Sequence, residues 1–168
     1  IQFADMRIDT TAAAIAKTIA ADAVKNIAEL YVAYFNRVPD AEGMAYWMTQ
    51  FKNGASIESI GKSFYAAAVS PTFSALTGYS SAMTDADFVK LIYKNVLGRT
   101  EVDQAGLDYW TKALSLPAGT AGAETRGTLI KTMLSAAHGF KGDATYGWVA
   151  DLLDNKYTVA KYFALDQG

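Results

Sequence analysis

The chain has 168 residues, 51% of them hydrophobic, and its 15 Lys and Arg against 17 Asp and Glu leave a formal net charge of -2. That length suits one domain, or two small halves sharing one core, and the weak negative charge offers no positive field for a nucleic-acid backbone or an anionic membrane. The absence of cysteine excludes disulfides, thiolate zinc sites and cysteine nucleophiles. Lys17, Asp22 and Lys25 interrupt the longest apolar stretch, so no membrane span and a soluble chain are expected. The first residue is Ile1, with no charged and apolar leader after it, so the chain is expected to be a processed or excised piece with any export signal outside it.

From Thr10 and Thr11, apolar residues recur at three- and four-residue steps through Ile15, Ile19, Ala23, Ile27, Leu30, Tyr34 and Phe35. This predicts one long first helix, ended by Pro39, which biases Val38 away from helical geometry. Asp40 is placed to cap a second helix carrying Met44, Trp47, Met48 and Phe51, stopped at Asn53 and Gly54. Ser56 caps a third through Ile57, Ile60, Phe64 and Ala68, and Ser70 with Pro71 opens a short segment closed by Gly78.

The second half repeats this order. Thr84 caps a helix through Phe88, Leu91, Ile92, Val96 and Leu97 that runs to Gly98, with Asp87 in the capping-box position. Asp103 caps the next, which carries Leu107, Trp110 and Leu114 and stops near Pro117, before the loop-like PAGTAGA. LIKTMLSAA at residues 129–137 then lines up with IGKSFYAAA at residues 60–68. Gly139 is a natural C-cap, and Asp143 starts a last helical region over residues 144–165 with a break expected near Asp154 and Asn155. With no sustained strand alternation, the reading is an all-α single bundle of two interlocked helical repeats with seven to eight helices. The whole chain, 1–168, reads as one domain: repeat one over 26–69, repeat two over 84–138, and closing helices over 143–165.

The duplication is clearest at a turn. Residues 30–47 read LYVAYFNRVPDAEGMAYW and residues 92–110 read IYKNVLGRTEVDQAGLDYW. The repeated set is Arg37, Asp40, Gly43, Tyr46 and Trp47, then Arg99, Asp103, Gly106, Tyr109 and Trp110. Tyr-Trp pairs are able to stack on sugar rings, but Trp47 and Trp110 fall one helical turn from apolar neighbours, the spacing of a packing stripe. Each Arg has the fork for a carboxylate or phosphate ligand, yet an arginine beside a capping Asp also serves to fix the angle of a turn. Arg99 and Asp103 are four positions apart where Arg37 and Asp40 are three, and a turn that tolerates such an insertion is not a catalytic device. The ten residues are therefore read as a structural motif.

Chemistry-bearing patterns are sparse. His138 is the sole histidine, at a helix end where it faces the C-terminal dipole. There is no nucleophile elbow, no His-Glu-x-x-His and no glycine-rich phosphate loop, and the acidic turns do not match a calcium loop. No catalytic residue, no metal site and no cofactor is assigned. Tyr79, Tyr146, Trp148 and Tyr157 lie outside the duplicated turn and are the candidate ligand contacts, with a core position favoured for Trp148.

The motif pair resembles a bacterial domain-of-unknown-function family whose hallmark is a YxxxxGRxPDxxGLxYW repeat, and its turn is similar to that of phycobilisome linker domains. The ending LLDNKYTVAKYFA, residues 152–164, is similar to the NKxxVAxYF ending of that family. Asn36 and Met44 stand where Gly and Leu are usual, and Thr100, Glu101 and Val102 replace the single proline step. The resemblance implies a helical domain of large secreted or surface-layer proteins of Gram-negative bacteria, often beside haemolysin-type calcium-binding repeats. It leads to the expectation of a non-catalytic attachment or assembly module at the cell surface, with a surface polysaccharide such as lipopolysaccharide, or another surface protein, as partner. The alternatives are a protein-interaction or self-assembly scaffold and, behind it, a carboxylate-dependent glycan-active enzyme.

Overall fold

The computed structural model describes residues 10–167, so Ile1 and the rest of the first nine residues lie outside the described part, as does Gly168. Among the described residues there are nine α-helices and one π-helical turn, and no strand. They are α1 (Thr11–Ala16), α2 (Ala21–Phe35), α3 (Ala41–Lys52), α4 (Ile57–Ala68), α5 (Ser74–Thr77), α6 (Asp85–Asn95), α7 (Gln104–Ser115), α8 (Arg126–His138) and α9 (Gly147–Lys161), followed by the turn Tyr162–Asp166. None of the helices is long and apolar enough to cross a membrane.

The ninth helix comes from a break in the expected long first one. Thr18 turns its hydroxyl back onto the Ile15 carbonyl at 2.8 Å, and Ala20 is extended, so the chain bends between α1 and α2. α1 is thereby free to fold against α3 and the π-helical turn. Pro39 is not what ends α2. Asn36 does so three residues earlier, in a left-handed conformation with φ 48°, its N–H bonded to the Val32 carbonyl at 2.8 Å. Gly98 holds the same place in the second copy with φ 65°, so Asn, the residue that tolerates this region best after Gly, keeps the turn.

Four caps fall where sequence places them. Asp40, Ser56, Thr84 and Asp103 accept from the backbone N–H of Gly43, Ser59, Asp87 and Gly106, at 2.6, 3.1, 3.1 and 2.7 Å. Such bonds satisfy N–H groups that the helix itself leaves open. The last helix departs from expectation in two ways. Asp143 holds a turn rather than a helix start, accepting from the Thr145 and Tyr146 N–H groups, and α9 runs unbroken through Asp154 and Asn155. Asp154 is instead a clamp, accepting from Lys25 on α2 at 2.9 Å and from Lys141 at 2.6 Å.

The two copies interlock through their third helices. α4 and α8 form the most extensive helix contact, made possible at Gly61 and Gly127: a Cβ on Gly61 would strike the Gly127 carbonyl, and one on Gly127 would lie 2.7 Å from Lys62 Cα. α2 packs against α4, α8 and α9, with Ile27, Leu30 and Tyr34 fully buried. Arg126, opening α8, donates to Asp85 Oδ1 at 2.7 Å and to the Met83 carbonyl at 2.6 Å, which ties α8 to the start of α6. Glu29 on α2 is 4% exposed and accepts from His138 Nε2–H at 2.7 Å. His138 thus has this carboxylate as a partner besides the C-terminal end of α8. Burial raises the Glu29 carboxyl above its ordinary value, against the pull of His138 and Lys25.

Candidate functional site

The two copies of the motif build the same turn and then diverge. In each, the capping Asp holds the helix start, and the Gly after it leaves room for a tyrosine hydroxyl from the preceding helix. A Cβ on Gly43 would lie 2.7 Å from Tyr31 Oη, and one on Gly106 would lie 3.0 Å from Tyr93 Oη. The same tyrosines carry the arginines, with the Arg37 guanidinium 5.2 Å from the Tyr31 ring centre and Arg99 5.4 Å from that of Tyr93. Tyr31 and Tyr93, six residues before each Arg, are thus working parts of the motif that were not singled out from sequence. Their matching position in the two copies was one available signal, and the leading Y of the hallmark repeat, six positions before its Arg, was another.

In the first copy the arrangement closes on itself. Arg37 donates to the Val38 carbonyl and to Asp40 Oδ2, both at 3.4 Å, and to Tyr31 Oη. Phe64 from α4 fills the hollow behind the turn, its ring centre 4.7 Å from Trp47, 5.3 Å from Tyr31 and 5.5 Å from Phe35. Phe73 meets Phe35 edge-on.

In the second copy the hollow is open. Met133 stands in the place of Phe64 and Leu97 in that of Phe35, and both line a cavity of about 180 Å³. Its walls include Tyr93, Arg99, Trp110, Met133, Phe140 and Tyr146, with Asp103 at the edge. That is close to the size of an apolar cavity that accepts one six-membered ring. The Trp110 indole N–H donates to Tyr93 Oη at 3.2 Å, which fixes it as a wall.

Arg99 differs from Arg37 in its partners. The extra residue in the turn leaves Arg99 Nη2 3.9 Å from Asp103 Oδ2, and among the described residues its guanidinium makes no hydrogen bond. Its guanidinium carbon lies 5.4 Å from the Tyr93 ring centre and 5.3 Å from that of Tyr146. Tyr146 is held there by Asp143, whose carboxyl sits below its usual range because it accepts the backbone N–H groups of Tyr146 and Thr145. The result is a cation beside a ring-sized cavity, loosely paired with Asp103 and with no hydrogen bond to its guanidinium among the described residues.

The remaining expected contacts are scattered. Tyr79 is 1% exposed and gives its hydroxyl to the Ala33 carbonyl at 3.1 Å, so it contacts no ligand. The reason is tertiary: the α5 turn folds it between Tyr34 and Phe88. Trp148 corrects the expectation of a core position, since 47% of it is exposed beside Gly98 on the outer side of the turn. Tyr157 is half-buried in a separate groove between α1 and α9. Only Tyr146 joins the motif. Tyr46 and Tyr109 are exposed, each edge-on to its tryptophan. Trp47 and Trp110 are both half-buried and packed against the core, Trp47 on Phe64 and Trp110 with a face on the cavity. A larger groove, about 510 Å³, runs along the loop between α7 and α8, but its arginine, Arg126, is already bonded to Asp85 and Met83.

Fold and site together define an all-α protein of two interlocked helical repeats, one self-filled and one holding a small aromatic-walled pocket. The chain belongs to the family described as Domain of unknown function (DUF4214), whose model matches it twice, over residues 15–68 and 65–141. No curated protein and no solved structure matches it.

Proposed function

We propose that this domain is a non-catalytic attachment module of a secreted or cell-surface protein of a Gram-negative bacterium, and that it binds a surface polysaccharide through the pocket of its second repeat. The observation that carries this reading is the asymmetry between the copies. The same motif is packed solid around Phe64 in one and left as a ring-sized cavity walled by Trp110, Tyr93 and Tyr146 in the other. Aromatic walls with a few fixed polar groups are the common form of a small-ligand site, and an indole is a good partner for the C–H face of a sugar. A single carboxylate, Asp103, lines the pocket, whereas glycoside hydrolysis ordinarily uses two facing carboxylates. This favours binding over catalysis.

The test is glycan-array and lipopolysaccharide pull-down binding by the full chain and by Met133→Phe, which places in the second repeat the residue that fills the first. Retained glycans should be lost in the variant while its helical circular dichroism is unchanged. Absence of binding by the unaltered chain sinks the polysaccharide reading.

A second reading, an assembly scaffold, is favoured by the exposed apolar residues Val159, Tyr162 and Phe163 at the end of α9. Large exposed apolar surface commonly marks an interface. A strict monomer by light scattering over a wide concentration series counts against self-assembly.

A further inference from the structure

Three features of the second-repeat pocket bear on what it selects. The first is Arg99. Its guanidinium lies against the Tyr93 and Tyr146 rings and makes no hydrogen bond among the described residues, and a planar fork with free donors matches the two oxygens of a carboxylate. The second is charge. Arg99 is the sole cation in the lining and Asp103 the sole anion, so the lining is neutral as it stands, and it has no second cation for a dianionic phosphate. The third is Asp103 itself. Its Oδ1 is tied to the Gly106 N–H at 2.7 Å, while Oδ2, 3.9 Å from Arg99, is left to accept a hydroxyl proton. In the first repeat every one of these provisions is absorbed: Arg37 is bonded within its own turn and Phe64 occupies the hollow.

We infer that the pocket takes one carboxylate-bearing sugar unit of a polysaccharide, with the carboxylate on Arg99, a hydroxyl on Asp103 and the ring against Trp110. This rests on the glycan-binding reading above and adds its selectivity. Recognition is by charge-assisted bonds at a partly exposed site, so binding weakens with added salt, as screening requires.

The experiment is titration calorimetry of the full chain with trigalacturonate, with the neutral trigalactose of the same linkage and with inorganic phosphate. A tenfold or greater preference for trigalacturonate over the neutral trimer is expected. Arg99→Leu should erase that preference while leaving the weak neutral binding. Arg37→Leu should leave it intact. Met133→Phe should abolish binding of both trimers, and Tyr146→Ala, which removes one of the two rings beside Arg99, should reduce the preference without loss of helical circular dichroism. Equal affinity for the acidic and neutral trimers overturns the acidic selectivity and leaves glycan binding standing. Binding of neither trimer, when another glycan is retained on the array, also overturns it. Phosphate that displaces trigalacturonate at comparable concentration overturns the sugar-acid assignment in favour of a plain anion site.

Discussion

Asp40 and Asp103 each cap a helix, and each is more than half exposed. Their contribution is local, the satisfaction of one otherwise open N–H. Asp40→Ala and Asp103→Ala are each expected to lower stability by about 1 kcal/mol, read as a shift of the urea midpoint at constant slope. A much larger loss at either position would mean that the arginine pairing, not the cap, carries the turn. The residue before each Arg is a sharper case. Asn36 is left-handed at φ 48°, so Asn36→Val should cost roughly 1–2 kcal/mol while Asn36→Gly, the residue found at 98, is tolerated. The caps are legible in sequence because they depend on the residue and its immediate neighbours, whereas from sequence α2 is expected to end at Pro39 and not at Asn36. What the arginines and tryptophans touch is not legible there, because it depends on α4 and α8, which arrive from elsewhere.

At the scale of elements, the meeting of α4 and α8 leaves no room for a side chain at Gly61. Gly61→Ala gains helix propensity of up to about 1 kcal/mol but forces two backbones apart. Such overpacking costs about 1–3 kcal/mol, so a net loss of stability is expected, and a stabilised variant would refute the close approach. α9 is held by charge as well as by packing. Asp154 faces Lys25, Lys141 and His138, and hydrogen bonds from Lys141 and then Lys25 push its carboxyl from the ordinary 3.8 down to about 2. A depressed folded value means stabilisation that is present above pH 3.8 and is lost as pH falls through 2. Glu29, raised by burial, has the opposite sign: its contribution is full below its ordinary 4.5 and declines as pH rises through its folded value. Between pH 4 and 2 the Asp154 term therefore stands out. Its side chain is more than a third exposed, so solvent screening holds it to about 1 kcal/mol. Asp154→Asn should flatten the fall in thermal midpoint between pH 4 and 2, and identical acid slopes in both proteins would exclude the clamp.

For the whole molecule, the repeats are not independent units. α2 of the first packs on α8 of the second, α4 packs on α8, and α9 lies against α2. The full chain is therefore expected to unfold in one cooperative step, and a fragment covering residues 10–83 alone should show little helical structure by circular dichroism. Two separate calorimetric transitions would contradict this. Interlocking also makes the surroundings of the two copies unlike. The first copy is braced by α1 and by the Phe64 cluster, whereas the second is walled by the loop that leads into α9, which brings Phe140 and Tyr146 to Arg99.

The amino-acid sequence by itself determined the helical class, the duplication, the family and the caps, since periodicity, repeats and turn chemistry are local and are written residue by residue. Only the tertiary structure decided that the two copies differ in kind. Phe64 and Met133 occupy equivalent places in similar apolar patterns, and in a periodicity reading they are interchangeable. Packed into the hollow behind the turn, a rigid ring closes one copy, and a narrower, flexible chain leaves the other open. Whether Arg99 is a strut or a ligand-binding fork depends on a tyrosine 47 positions further along the chain, a distance across which no local pattern carries information.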